Sequence, residues 1–226
     1  SVHEDWATMR DVPPLPSGIV DLFVLNTNKF QMLFDGELNW DEQKAWLRDR
    51  LHGSGAAWKL VVGHHPIEFV PHSFLEHAVP GLRWLTASFM TGKPLVKKLY
   101  SRSMADAVLL GGAHAYLSGH QHLMAHMVRK ALPRRLSLWR NPGVSKACSF
   151  IIVGSSSRTE SVGLGGLGRA VVRKLDSVKR KMREFWCEEQ NGFLSVTATA
   201  QKITYEFFAV GAEGRIRLAY RYSQLP

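Results

Sequence analysis

The chain has 226 residues, of which 45% are hydrophobic, so it can build a core and is not disordered by composition. Its two cysteines, Cys148 and Cys187, exclude a disulfide framework, although one bridge between them stays open. No apolar run reaches the roughly 20 residues that a membrane span needs. The composition is compatible with an organellar compartment, such as the mitochondrion, and with a secretory or lysosomal one.

The net charge of +10 is concentrated in two segments. Segment 127–140 carries five basic residues and no acidic one, and segment 169–183 carries seven basic residues and one acidic one. Such segments favour a polyanion, which is nucleic acid such as RNA, acidic lipid or a phosphorylated substrate. The alternative is that they form solvated helix faces without a partner.

In chain order, the first elements alternate between strand and helix. An apolar, β-branched run predicts a buried strand over 19–27, and the helical spacing of Trp40, Ala45, Trp46 and Leu51 predicts a helix over 39–51. The next apolar run, 58–63, predicts a second strand.

The second half of the chain continues this pattern and then changes. Residues 94–113 suit a helix that leads into a short strand over 115–119, and 148–154 reads as another buried strand. We interpret 157–192 as a Gly-rich linker and a basic helix. From 193 to 223 the alternation and the Gly-containing turns predict an antiparallel meander. The expected fold class is α/β, a mixed sheet with flanking helices and this meander, in a single domain over 1–226.

Histidines follow two of the predicted strands. Gly63-His64-His65-Pro66 ends the second strand, and Gly119-His120-Gln121-His122 ends the third. Because the carboxyl ends of neighbouring strands meet in one crevice, we expect these imidazoles to converge. Neutral imidazole suits Zn, Fe or Mn, so the pattern predicts a metal site.

These motifs carry a resemblance to a known family. The last two metal-binding motifs of calcineurin-like metallophosphoesterases resemble two segments of this chain, "WKLVVGHHPI" and "AYLSGHQH". Four further segments narrow the resemblance to the purple acid phosphatase branch: "VDLFVLNTNKF", "NWDEQKAWLRDRL", "FIIVGSSSRTE" and "NGFLSVTATAQKITYEFFAVGAEGRI". It extends over nearly the whole chain from about residue 19. It implies the fold of an α/β/β/α sandwich and hydrolysis of phosphate esters at a pair of divalent or trivalent ions of Fe, Zn or Mn.

The resemblance implies that His64 and His120 bind one ion and His122 the other. The family's earlier motifs, of the forms D-x-H or D-x-G, G-D-x-x-D/Y and G-N-H-D/E, do not occur in the sequence. Three nitrogens cannot hold two ions about 3.5–4 Å apart without a bridging anion. We therefore expect the chain to correspond to the C-terminal half of such a phosphatase, inactive when isolated.

The other histidines are assigned less specific roles. The family's general acid, a histidine nine residues after His64, is replaced by Ser73, so His72 is the candidate for this role. We expect His65, His114 and His126 to be structural or to lie behind the ligands.

Three hypotheses follow for function. The chain is half of a phosphomonoesterase completed by a polypeptide that supplies the bridging Asp. Alternatively, it is an inactive structural subunit of a large assembly, bound to RNA or acidic lipid through 127–140 and 169–183. In the third hypothesis, the histidines bind one metal ion for structure only. Because half a sandwich would expose an apolar sheet face, a covering polypeptide is expected in the first two.

Overall fold

The computed structural model describes residues 18–27, 40–68, 70, 104–105, 107–129, 147–155 and 182–226. Its elements are β1 Val20–Leu25, α1 Trp40–Gly53, β2 Trp58–Gly63, β3 Ala115–Ser118, β4 Met124–Arg129, β5 Ser149–Val153, β6 Met182–Glu188, β7 Gly192–Ala198, β8 Ile203–Val210, a 3-10 turn Ala212–Gly214 and β9 Ile216–Gln224. Residues 104–105 and 107–110 are also helical, within the helix predicted over 94–113. Among the described residues, no helix has the length and apolar character of a membrane span.

Six strands form a mixed sheet in the order β1-β2-β3-β5-β4-β6. The first four in this order are parallel, whereas β4 runs antiparallel to both β5 and β6. The prediction of one mixed sheet from the four apolar runs is therefore confirmed. Since β2 and β3 are parallel neighbours, their carboxyl ends lie at the same edge, and this places the two histidine motifs side by side.

One face of this sheet packs against helix. On α1 the fully buried side chains are Leu47 and Leu51, which lie one turn apart and join a core cluster with Phe23, Val61 and Tyr116. Burying each leucine contributes about 1.5–3 kcal/mol, which explains why this stripe of α1 faces the sheet. The predicted helix is thus confirmed, two residues longer at its C-terminal end.

The opposite face packs against a second, three-stranded sheet with the order β7-β8-β9. Burial alternates strictly along β8, and its inward residues Ile203, Tyr205, Phe207 and Ala209 are fully buried against the first sheet. The Trp58 indole also donates a hydrogen bond of 2.6 Å to the Thr199 carbonyl, which joins the two sheets. The predicted meander exists, as a separate sheet stacked on the first.

Two strands were not predicted, because their sequence is dominated by charge or follows a histidine motif. The basic segment 127–140 begins inside β4, and 169–183 ends inside β6. The rest of both segments, and the Gly-rich part of 157–192, lie outside the described residues. In β6 the outward-facing bases and acids mask the alternation that normally indicates a strand.

Both cysteines are free thiols, so they do not form the bridge that the sequence left open. Cys148 is buried beside β5, and burial raises the pKa of its thiol to about 12. A thiol with such a pKa stays protonated and behaves as a small apolar side chain.

Candidate metal centre

The turn after β2 is held by two side chains from neighbouring strands. The Thr27 hydroxyl accepts a hydrogen bond of 2.9 Å from the His65 backbone N–H. The Tyr116 hydroxyl donates one of 2.7 Å to the His65 carbonyl. Gly63 leaves room for this arrangement, since a Cβ there would come within 2.7 Å of Thr27 Cγ2 and would also collide with the Tyr116 hydroxyl. The requirement for glycine at this position is therefore steric.

The turn after β3 takes its unusual conformation at a histidine. His120 has a φ of 63°, in the left-handed region that non-glycine residues seldom adopt. Gly119 does not have a positive φ, and a Cβ on it would meet nothing closer than 3.9 Å. The left-handed residue of this turn is therefore His120 and not the glycine before it. Backbone strain of this kind concentrates at functional sites.

Hydrogen bonds connect the two turns and hold the second one in place. The Gly119 N–H donates to the His64 carbonyl at 3.1 Å. The buried Gln121 amide accepts from the Val70 N–H at 2.9 Å and donates to the Val70 carbonyl at 2.7 Å. The backbone around the histidines is therefore fixed on both sides by bonds that need no ligand.

Three imidazoles meet at this edge of the sheet. His64 Nε2 lies 3.4 Å from His120 Nδ1, and one nitrogen from each of His64, His65 and His120 lies within 4.8 Å of the other two. The ring centroids of His65 and His120 are 4.4 Å apart. His64 and His120 are exposed and His65 is half-buried, so the cluster opens to solvent.

The predicted ligands divide between this cluster and its surroundings. His64 and His120 are brought together, whereas His122 is half-buried and outside the group of three. His65, which the sequence analysis did not place among the ligands, takes part instead. Adjacent residues in extended chain point to opposite sides, so a His-His pair does not by itself predict that both rings share a site. His72 lies outside the described residues, and its role stays a prediction.

Two further histidines are bonded within the protein. The Lys59 backbone N–H donates to His114 Nδ1 at 3.0 Å; burial, and secondarily the positive Lys59, lower the pKa of His114. His126 is fully buried on β4, with Nδ1 3.2 Å from the Tyr220 hydroxyl and Nε2 3.1 Å from the Ser149 hydroxyl. Burial lowers the pKa of His126 to about 3, so the ring is neutral.

The donor chemistry of the cluster suits one metal ion. In a tetrahedral site with metal–nitrogen distances of about 2.0–2.1 Å, two ligand nitrogens lie about 3.3 Å apart, close to the His64–His120 separation. A pair of ions also needs a bridging anion to offset their repulsion. No Asp or Glu of the described residues belongs to the cluster. These residues therefore fit a single ion and do not by themselves fit the metal pair of the family.

The mixed sheet, its helical layer and the stacked antiparallel sheet form an α/β fold, and this fold is like that of phosphoesterase structures. The solved structure "GAP50 the anchor in the inner membrane complex of Plasmodium" matches 91% of this chain and 49% of its own, with a TM-score of 0.54 and 15% identity. The purple acid phosphatase PPD1 from yellow lupin (Lupinus luteus) seeds matches 91% of this chain and 31% of its own, with a TM-score of 0.50 and 12% identity.

A third structure, of PhoD, matches 81% of this chain and 33% of its own at 16% identity, with a TM-score of 0.45. Scans against protein-family models and against curated proteins give no match. The chain thus spans about half of the GAP50 structure and about a third of the other two. At these identities the likeness concerns the fold.

Proposed function

We propose that the chain is the histidine-bearing part of a metal-dependent phosphoesterase centre, completed by carboxylates from another polypeptide segment. The observation that carries this proposal is the convergence of His64, His65 and His120 at the carboxyl edge of parallel strands, in a fold of the phosphoesterase type. The substrate class is a phosphate ester, and the ions are Fe, Zn or Mn. His122 and His72 keep their predicted roles, as ligand of a second ion and as general acid, within this proposal.

The need for a second segment follows from charge. Imidazoles are neutral ligands, so they cannot offset the repulsion between two cations, whereas a bridging carboxylate can. We therefore expect the isolated chain to hydrolyse p-nitrophenyl phosphate no faster than buffer. A polypeptide from the same source that carries the Asp and G-N-H motifs should confer activity when mixed with it.

The decisive variant in this assay is His120→Ala, which should abolish the activity of the mixture because it removes a metal ligand. His52→Ala, on the exposed C-terminal turn of α1, is the matched control and should leave the activity unchanged. Hydrolysis by the isolated chain, or by the mixture containing His120→Ala, would refute the proposal.

An inactive structural subunit is the second candidate, and like the first it accounts for the exposed face of β1 through a covering polypeptide. Leu22 and Val24 are each 63% exposed on the side of the sheet where the other strands are covered by β7–β9. Among the described residues, β1 pairs only with β2, so its other edge is open to a further strand. A covering polypeptide fits both features. GAP50 is named as an anchor in the inner membrane complex of Plasmodium, and a similar role for this chain is part of this second candidate.

The covering contact, which both candidates share, has its own test. Leu22→Asp with Val24→Asp should weaken binding of the complementing polypeptide in analytical ultracentrifugation, whereas Ile216→Asp, at an equally exposed apolar position of β9, should not. Equal effects of both would show that the β1 face is not the contact.

The basic segments supply the remaining proposed partner. Replacing Lys179, Arg180 and Lys181 by Glu should weaken binding to single-stranded RNA or to vesicles containing phosphatidylserine, and should lessen the dependence of that binding on salt. If this variant binds RNA or vesicles as tightly as the unaltered chain, the proposal that 169–183 binds a polyanion is refuted.

A further inference from the structure

We infer that this chain holds one divalent ion through His64, His65 and His120, with His65 as the third imidazole in place of His122. The inference uses the same edge of the sheet as the proposed function and rests on it only for that location. It concerns metal binding by the chain itself, which the assays below measure independently of hydrolysis.

The distances support a single ion between these three rings. The 3.4 Å between His64 Nε2 and His120 Nδ1 matches the spacing of about 3.3 Å in a tetrahedral nitrogen site. This separation is longer than the usual distance between an N–H donor and its acceptor, which is about 2.7–3.2 Å. With all three nitrogens within 4.8 Å of one another, small side-chain rotations are enough to close the site around an ion.

The backbone holds the two turns in position before any ion is present. The His65 N–H and carbonyl are bonded to Thr27 and Tyr116, and the His64 carbonyl accepts from Gly119. Because these bonds fix the backbone of the His64–His65 turn beside His120, little backbone conformational entropy remains to be lost on binding. Such preorganisation raises affinity without adding ligands.

The kind of ion follows from the ligands. Three neutral imidazoles favour Zn²⁺ or Co²⁺ over Mg²⁺ or Ca²⁺, which prefer oxygen. Since His64 and His120 are exposed, a fourth coordination position faces solvent and is open to water or an anion. Three protein ligands and one open position are typical of zinc sites that bind substrates.

The test uses the full chain and Co²⁺, whose visible absorption reports coordination geometry, followed by displacement with Zn²⁺ in calorimetry. We expect one ion per chain and a tetrahedral spectrum. His64→Ala, His65→Ala and His120→Ala should each weaken binding by more than about 100-fold, since even residues behind the ligands are worth about 10–100-fold. His52→Ala is the control and should bind as the unaltered chain does. His122→Ala separates the two ligand sets: it should retain the single ion, because His122 lies outside the group of three.

Several results would overturn the inference. Two ions per chain, or a loss in His122→Ala with no loss in His65→Ala, would assign the family's ligand set instead. If the unaltered, folded chain does not bind Co²⁺, the three histidines pack together without forming a metal site. His65→Gln, which keeps the size and polarity of the side chain, should lose the tetrahedral spectrum while retaining the circular dichroism of the fold, and a retained spectrum would contradict the role of His65.

The same variants separate this inference from the proposed function. Binding lost in His65→Ala, with no hydrolysis in any mixture, would support the single-ion site and remove the phosphoesterase. Hydrolysis by the mixture that depends on His122 and is insensitive to His65 would support the phosphoesterase and overturn the single-ion site.

Discussion

Two groups of histidines in this protein differ in almost every physical respect. His64, His65 and His120 lie together at an open edge of the first sheet, with ring nitrogens facing one another. His126 lies between the two sheets, with each ring nitrogen near a hydroxyl group and aromatic rings around it. A histidine surrounded by neutral hydrogen-bonding partners stabilises a fold, whereas histidines that converge on one another offer lone pairs to a ligand.

Removing one ring from each group should give the largest contrast. His126→Ala leaves a cavity between the sheets and takes a partner from the Ser149 and Tyr220 hydroxyls, so we expect a loss of about 3 kcal/mol in the free energy of unfolding. His64→Ala, at an exposed position, should change it by less than about 0.5 kcal/mol. Urea unfolding measures both, and equal losses would show that the comparison is mistaken.

Acid should distinguish the groups next. The folded pKa of His126 is about 3, below the unfolded value of 6.5, so between these values the unfolded state binds a proton that the folded state excludes. The stability that His126 contributes is therefore present above pH 6.5 and is lost as the pH falls toward 3. Between pH 7 and pH 5 the loss is about 2 kcal/mol.

The matched variant isolates this effect. In urea unfolding, the free energy of unfolding of His126→Gln should fall by about 2 kcal/mol less between pH 7 and pH 5 than that of the unaltered chain. The exposed His52→Gln should show the same fall as the unaltered chain. Burial also lowers the pKa of His114, so a small loss of stability in acid that comes from His114 should persist in both variants. An unchanged pH dependence in His126→Gln would place the acid-sensitive group elsewhere.

The two glycines that precede the histidine motifs should respond differently. Gly63→Ala brings a methyl group against Thr27 and Tyr116, and such overpacking costs about 2 kcal/mol. Gly119→Ala meets only ordinary contacts and should change the free energy of unfolding by less than about 0.5 kcal/mol. Gly63→Ala should also weaken Co²⁺ binding, since it displaces the His64–His65 turn. Similar effects of the two substitutions would mean that both turns need glycine for conformational freedom.

The smallest expected effect is a gain in stability at the cluster. His120 adopts a left-handed conformation that costs a non-glycine residue about 1 kcal/mol or somewhat more, so His120→Gly should stabilise the fold by up to about 1 kcal/mol. His120→Ala keeps the unfavourable conformation and should not stabilise it. Both should lose Co²⁺ binding. If His120→Gly is destabilising, the ring contributes to packing and the strain is not held for a ligand.

Much of the architecture followed from the pattern of apolar residues. The four runs over 19–27, 58–63, 115–119 and 148–154 each became a strand of the mixed sheet, because apolar, β-branched segments of this length are buried in parallel sheets. The meander followed from alternation between Gly-containing turns. Strands β4 and β6 did not. In β6 charged side chains on a solvated face hide the period of two, whereas β4 is buried on both faces and shows no alternation.

For the candidate site, the sequence by itself predicted that the two histidine motifs lie at one edge of the sheet and what chemistry they offer. Two Gly-His motifs that follow parallel strands place imidazoles at one edge of a sheet, and imidazole binds borderline metals. Which rings come together was decided by tertiary structure. Thr27 and Tyr116, from other strands, orient the backbone of His65, and the left-handed His120 turns its ring toward His64. Local spacing carries no information on these contacts, because they join residues from 38 to 56 positions apart.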